Sequence, residues 1–207
     1  MATDIKAQNA RWLWIVMVVD VVALIPLVVT SGSFDELSVF KILTRGAAAT
    51  VAPVIVLLLT SLLTADVKAV VVFWRIRDML PGHRAFSIYA HRDSRINLEE
   101  LRRKVGEFPV LPRDQNAAWY GLYKAVVEDP GVMQSLRNYL LFRDLSILSL
   151  MLSIVALIIT LVTGGTIMTA MTVFGLLFAQ YVLSAIAARN NGIRLVTNVL
   201  ALHGVAQ

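Results

Sequence analysis

The stretch LSILSLMLSIVALIITLVTGGTIMTAMTVFGLLFAQYVLSAIAA, residues 145–188, contains no charged side chain and is interrupted only by the GGT triplet at 164–166. A helix needs about 20 apolar residues to cross a bilayer, and each of the two runs, 145–163 and 167–188, has about that length. A three-residue break leaves room for a tight turn only. The stretch therefore predicts two antiparallel, neighbouring membrane helices.

Two further runs, 12–30 and 47–73, are long enough to span a membrane. The chain is 57% hydrophobic with a mean hydropathy of +0.71, which indicates an integral membrane protein. The first run is too long for a signal peptide and lacks a cleavage site of small residues, so it is predicted to be a retained span. The absence of cysteine excludes disulfides and a thiolate-bound metal.

The remaining polar segment, 74–144, carries twelve Lys/Arg and nine Asp/Glu and is the one candidate soluble domain. The predicted fold is all-α and polytopic: residues 1–73 form helices 1 and 2 with an interfacial helix starting near Ser33, 74–144 form a basic helical domain, and 145–207 form the hairpin of helices 3 and 4 with a tail. Sixteen Lys/Arg fall on the side of the termini and the central segment, whereas two fall on the other side. Both termini and the basic domain are therefore predicted to be cytoplasmic.

Local capping signals predict two short helices in the central segment. Asn97, with Glu100 at the capping-box position, is a candidate N-cap, and Gly106 is a candidate C-cap. Asp114 is the candidate N-cap of a second helix.

Two long helices are predicted to connect the membrane with the central segment. Asp129 followed by Pro130 is typical of a helix start, and no breaker follows, so the third span should begin there and run for about 33 residues. The second span has no breaker before Pro81 and Gly82 and is predicted to continue that far.

A cluster of cations follows the Pro81-Gly82 turn, near the rings of Phe86 and Tyr89. Cations mixed with stacking rings suit phosphates and bases, so the cluster is a candidate site for an anionic nucleotide. The alternative is a solvated helix face on which Glu99 and Glu100 pair with neighbouring cations. The candidate ligand-binding residues are Arg84, Arg92, Arg95, Arg102, Arg103 and Lys104.

The candidate functional polar residues within or at the edge of the predicted spans are Asp20, Asp66 and Gln180. An ionised carboxylate near the bilayer centre, such as Asp20, requires water or a protein partner. Asp20 is therefore either a pore-lining group or a packing group that accepts hydrogen bonds, for instance from a Ser, Thr or Gln side chain. Because four helices are too few to enclose an aqueous path, a channel would require a homo-oligomer.

Signatures of catalysis are weak. The sequence has no Walker A loop, no G-x-S-x-G and no H-E-x-x-H, and His83 and His91 are eight residues apart. The sequence thus predicts a protein that is not an enzyme and that uses no cofactor or metal.

The blocks VFWRIRDMLPGHRAFS, RDSRI, QNAAWYGLYK and YLLFRDLS, within residues 67–150, resemble those of small bacterial four-span membrane proteins of phage-defence operons. The chain is similar to the channel-forming effectors of Hailong-type systems. That resemblance implies a homotetramer in the inner membrane, an oligonucleotide ligand and a cytoplasmic nucleotidyltransferase as partner. The resemblance does not assign a functional residue of that family to any position of this sequence.

These observations predict an oligomeric, channel-like effector in the lipid bilayer, gated by a nucleotide or oligonucleotide. The alternative is a non-catalytic membrane subunit that docks a cytoplasmic protein through the WYGLYK surface at 119–124. A membrane-bound enzyme is a third hypothesis.

Overall fold

The computed structural model describes residues 2–29, 62–162 and 164–204, and every regular element in these ranges is helical. The all-α prediction is confirmed. The predicted interfacial helix and most of the second span lie outside the described residues. The elements are α1 (Ala2–Val29), α2 (Ala65–Phe73), a 3-10 turn (Pro81–Arg84), a π-helical turn (Ala85–Tyr89), a three-residue α-turn (Ala90–Arg92), α3 (Leu98–Val105), α4 (Pro112–Ala125), α5 (Pro130–Val162) and α6 (Ile167–Gly204).

The chain divides into two compact units. The hairpin unit comprises Met1–Thr64 and Arg143–Ser184, and the polar unit comprises Ala65–Phe142 and Ala185–Gln207. Both long helices, α5 and α6, contribute residues to each unit.

Helix α5 begins and runs as the sequence predicts. The Asp129 carboxylate accepts hydrogen bonds from the backbone N–H groups of Gly131 at 2.8 Å and Val132 at 3.0 Å, so it caps the helix. From Pro130 the helix continues for 33 residues to Val162. The predicted uninterrupted third span is confirmed as a helix.

The turn between α5 and α6 is tight. Gly164 has a φ of +79°, and the Gly165 N–H donates to the Thr160 carbonyl oxygen at 2.8 Å. A Cβ on Gly165 would lie 2.7 Å from that oxygen, so the close approach requires glycine. The two helices pack together in the core of the hairpin unit, which confirms that they are neighbours; this core contains Met17, Leu148, Leu152, Val173 and Leu177.

Helix α6 extends well beyond the predicted fourth span, to Gly204, for a total of 38 residues. Val196 and Leu200, in the part predicted as a tail, are fully buried against Phe86 and Leu101 in the core of the polar unit. The polar unit therefore includes the end of α6 as well as the basic segment.

Helix α2 ends at Phe73, and the prediction that it continues to Pro81 is wrong. Trp74 has a φ of +52°, outside the helical region. Arg189, from α6, donates to the Val72 carbonyl oxygen at 2.6 Å, and its guanidinium lies 3.6 Å from the centre of the Trp74 ring. The Arg189 side chain, which is distant in sequence, thus donates to a carbonyl oxygen in the last turn of α2 that has no partner within the helix. The contact of its guanidinium with the Trp74 ring stabilises the chain where the helix ends.

The predicted caps of α3 are confirmed, whereas the predicted N-cap of α4 is wrong. Asn97 accepts hydrogen bonds from Glu99 N–H at 3.0 Å and Glu100 N–H at 3.2 Å, and Gly106 has a φ of +81°, so both predicted caps of α3 are confirmed. Asp114 is not the N-cap of α4, because that helix already begins at Pro112, whose ring presets the helical φ. Asp114 lies in the first turn instead.

Two of the described helices, α5 and α6, are long and apolar enough to cross a membrane. Only 39% and 33% of their most apolar windows are buried inside the protein. The core helix of a soluble protein would be mostly buried. The two helices therefore indicate association with a membrane, while the four-span topology stays a prediction.

Candidate anion-binding site

An uncommon π-helical turn presents the first half of the site. Its inner side is fixed by Ala85, Phe86 and Ala90, which are buried in the core of the polar unit. Phe86 is therefore a core residue and not the stacking ring that the sequence suggested. Tyr89, at the end of the turn, lines a cavity. Such π-turns are rare in proteins and occur frequently at functional sites.

Gln115 of α4 holds this turn in place. Its side chain, 2% exposed, accepts hydrogen bonds from the backbone N–H groups of Phe86 at 3.2 Å and Ser87 at 3.1 Å, and from the Ser87 hydroxyl at 3.1 Å. Its amide nitrogen donates to the Val110 carbonyl oxygen at 3.1 Å. One buried side chain thus satisfies the first N–H groups of a turn that is 28 residues away in sequence.

The cavity has a volume of about 440 Å³, within the range of small-molecule sites. Three arginines line it, Arg92 and Arg95 from the segment after the π-turn and Arg194 from α6. Its other polar or aromatic lining residues are Tyr89, Asp93, Ser94, Asn190 and Thr197. The arrangement combines guanidinium groups for phosphate oxygens with one ring for stacking.

Two of the residues that line the cavity form a short ion pair. Arg95 Nη2 lies 2.6 Å from Asp93 Oδ2 and also donates to Asn198 Oδ1 at 3.1 Å. The hydrogen bond from Arg95 lowers the pKa of Asp93 to about 2 and raises the pKa of Arg95. The cavity is lined by three guanidinium groups and one carboxylate, so it keeps an excess of positive charge.

The remaining predicted cations lie outside this cavity. Arg84 donates to the Asp78 carbonyl oxygen at 2.7 Å, and burial lowers its pKa. On α3, Arg102 lies 5.2 Å from the centre of the Phe108 ring, Arg103 pairs with Glu100 at 2.9 Å, and Lys104 is exposed. The structure therefore brings together two of the six predicted residues, Arg92 and Arg95. Arg103 fits the alternative prediction of a self-paired helix face.

Arg194, Asn190 and Thr197 were missed by the sequence prediction. They recur at helical spacing in RNNGIRLVTNVL, and the apolar residues of the same segment, Leu195, Val196, Val199 and Leu200, are buried. This periodicity of 3.6 residues is the signal that indicates a structured helix beyond the fourth span.

Two of the predicted intramembrane polar residues form a pair. Gln180 Nε2 donates to Asp20 Oδ2 at 3.0 Å within the hairpin unit. This contact matches the packing interpretation of Asp20, in which a Gln side chain donates to the carboxylate. Asp66 is exposed in the first turn of α2.

Comparisons with protein families, curated proteins and solved structures find no match to this chain. Within the described residues, no group of three or more His, Cys, Asp or Glu side chains is arranged to hold a metal ion.

The Asp93–Arg95 pair predicts a specific pH dependence of stability. Because folding lowers the pKa of Asp93 from 3.8 to about 2, the pair stabilises the fold above pH 3.8, and this contribution is lost as the pH falls towards 2. Asp93→Asn should therefore destabilise the protein at pH 6, and its difference from wild type should shrink as the pH is lowered to 2.5. Denaturant unfolding of both proteins in a non-ionic detergent measures this difference. A difference that does not change with pH would contradict the assignment.

Proposed function

We propose that this chain is a non-catalytic, channel-like membrane effector, gated by an anionic nucleotide or oligonucleotide bound in the cationic cavity. It works as a homo-oligomer in the bacterial inner membrane, with both termini and the polar unit on the cytoplasmic side. Its place in phage defence, a tetrameric state and a nucleotidyltransferase partner follow from the resemblance of its sequence blocks.

The surface of the hairpin unit supports the membrane location. Its large apolar side chains remain exposed on each of its long helices, for example Val22 at 62%, Ile158 at 54% and Leu183 at 70%. No charged residue lies between Asp144 and Arg189. Lipid tails are a suitable environment for such a surface, whereas water is not.

The observation that carries the ligand assignment is the convergence of Arg92, Arg95 and Arg194 beside the ring of Tyr89 in one cavity. A guanidinium group binds phosphate through two parallel hydrogen bonds, and a tyrosine ring stacks on a base. Inorganic phosphate would use the arginines alone, but a nucleotide uses both features.

Helix α6 supports a direct link between ligand and membrane. Asn190, Arg194 and Thr197 line the cavity, and the same unbroken helix contains the apolar stretch that begins at Ile167. A ligand that shifts or rotates the end of α6 therefore acts on a membrane helix without an intervening flexible linker. The pairing of Asp20 with Gln180 favours a structural role for Asp20 in joining α1 to α6.

The docking hypothesis has less support in the exposed surface. Of the large side chains in WYGLYK, Trp119, Leu122 and Tyr123 pack against the cores of the polar unit, and Tyr120 is 49% exposed. Most of this segment therefore contributes to the internal packing of the polar unit, and Tyr120 is its one exposed ring among these described residues.

Binding of a single-stranded DNA hexamer at several salt concentrations tests the proposed ligand class. Each phosphate contact releases about 0.7 counterions, so two or three contacts predict a slope of log K against log[salt] between about −1.4 and −2.1. Fluorescence anisotropy of a labelled mixed-sequence hexamer, with full-length protein in nanodiscs, measures this slope.

Two competitors complete this experiment. ATP should displace the hexamer more effectively than pyrophosphate, because it can also stack on Tyr89, and Tyr89→Leu should remove that advantage. Failure of the wild-type protein to bind the hexamer at low salt would overturn the proposed ligand class. A stable complex with a cytoplasmic protein, formed equally well with and without the hexamer, would favour the docking alternative.

A further inference from the structure

A second cavity lies in the polar unit and has a different chemical character. Its volume is about 570 Å³, and no charged side chain lines it. Its walls include the rings of Trp119, Tyr120 and Tyr123 from α4 and Tyr139 from α5. An uncharged, ring-lined cavity excludes the phosphate ligand of the first site, because burying an anion without a charged partner is unfavourable.

The rings form an ordered aromatic wall. Trp119 and Tyr123 stack with centroids 5.6 Å apart and ring planes 21° apart, and Tyr120 and Tyr123 stack at 5.8 Å and 28°. Aromatic faces prefer offset-stacked or edge-on contacts with another flat ring. A wall of this kind therefore favours a planar aromatic ligand over an aliphatic one.

One buried polar group on a lining residue lacks a partner. In the part of the chain that the structure describes, the indole N–H of Trp119 has no acceptor. Buried polar groups in proteins are almost always satisfied by protein, water or ligand. The Asn116 amide offers both a donor and an acceptor at the cavity.

Glycines keep this space open. A Cβ on Gly82 would clash with Asn116 Oδ1, and a Cβ on Gly192 would meet Tyr139 Cδ2 at 3.3 Å. Both glycines line the cavity. A side chain at either position would push the polar or aromatic wall residues out of place.

We propose that this cavity is a binding site for a neutral, planar aromatic molecule that carries a hydrogen-bonding edge. The ligand stacks on the rings of α4 and pairs its polar edge with Asn116. This site is separate from the cationic cavity: both use the same part of α6, but Asn190 and Arg194 line one cavity and Gly192 and Leu195 line the other. The proposal does not depend on the proposed function.

The test uses acridone, a neutral, flat tricycle with one N–H donor and one carbonyl acceptor. Calorimetric titration into full-length protein in nanodiscs, with empty nanodiscs as the blank, should give a Kd of about 10–100 µM, the range expected for a ligand of this size. Dicyclohexyl ketone, of similar size but not flat, should bind at least about tenfold more weakly, since it cannot stack.

Two variants locate the site. Asn116→Ala should raise the Kd for acridone about five- to tenfold through the loss of a hydrogen bond. Leu136→Trp should abolish binding by filling the cavity, whereas Ile76→Trp, at a residue that is 84% exposed and outside the cavity, should leave it unchanged. Hexamer binding, measured in parallel, should survive Leu136→Trp, which separates this proposal from the proposed function.

Three results would overturn this inference. They are no acridone binding above the empty-nanodisc blank, equal binding of the two probes, and an acridone Kd that is unchanged in Asn116→Ala. Equal binding of the aliphatic ketone would indicate an acyl-chain site instead.

Discussion

The double variant Arg92→Glu/Arg194→Glu should bind the single-stranded DNA hexamer about 100-fold more weakly than wild type in 0.15 M salt, because each reversal removes a phosphate contact worth about tenfold. Both side chains line the cationic cavity but come from different parts of the chain, so the expected loss depends on the fold that brings them together. Anisotropy titration of the labelled hexamer measures it.

A matched variant separates this local effect from net charge. Arg103→Glu/Lys104→Glu changes the charge of the protein by the same amount, but both residues lie on α3 outside the cavity. We expect its affinity to stay within about threefold of wild type in 0.15 M salt, where charges more than a Debye length apart are largely screened. Equal weakening by the two double variants would contradict the assigned cavity and would indicate diffuse electrostatic attraction.

Gln115→Leu should strongly destabilise the polar unit. The leucine fills a similar volume but leaves the N–H groups of Phe86 and Ser87 without their acceptor. Leaving these buried donors without an acceptor should reduce the free energy of unfolding by about 3 kcal/mol. Chemical unfolding in a non-ionic detergent measures this change.

The control for this prediction is Gln134→Leu. Gln134 makes only an exposed hydrogen bond to Asn138 at 2.9 Å, so its replacement should change the stability by less than about 0.5 kcal/mol. The Gln115 variant should also bind the hexamer weakly at temperatures where it remains folded, since the π-turn positions Tyr89. If the two leucine variants behave alike, Gln115 does not hold the turn.

Features that depend on a few neighbouring residues were predictable from the sequence. Asn97, Gly106 and Asp129 cap helices through contacts within four residues, and the glycine turn at 164–166 leaves no alternative to a hairpin. Local physics also predicted the length of α5, because after Pro130 no residue interrupts the helix.

Features that depend on distant partners were not predictable. Helix α2 ends where Arg189, more than a hundred residues away, binds the Val72 carbonyl oxygen. The cationic cavity needs Arg194, which a composition-based division of the chain places in a tail. None of the three cations of α3 lines this cavity, although the sequence grouped them with Arg92 and Arg95. Such contacts emerge only when the helices pack.

Ion flux through proteoliposomes tests most directly whether a ligand in the cationic cavity controls a membrane pathway. Purified full-length protein is reconstituted with an entrapped ion-sensitive dye, and flux is recorded with and without the DNA hexamer on the side that exposes the polar unit. We expect the hexamer to change the flux of wild type severalfold, in either direction, and to have no effect on Arg92→Glu/Arg194→Glu, while Arg103→Glu/Lys104→Glu responds like wild type. Absence of flux under every condition, or a response that survives the charge reversal in the cavity, would contradict the account.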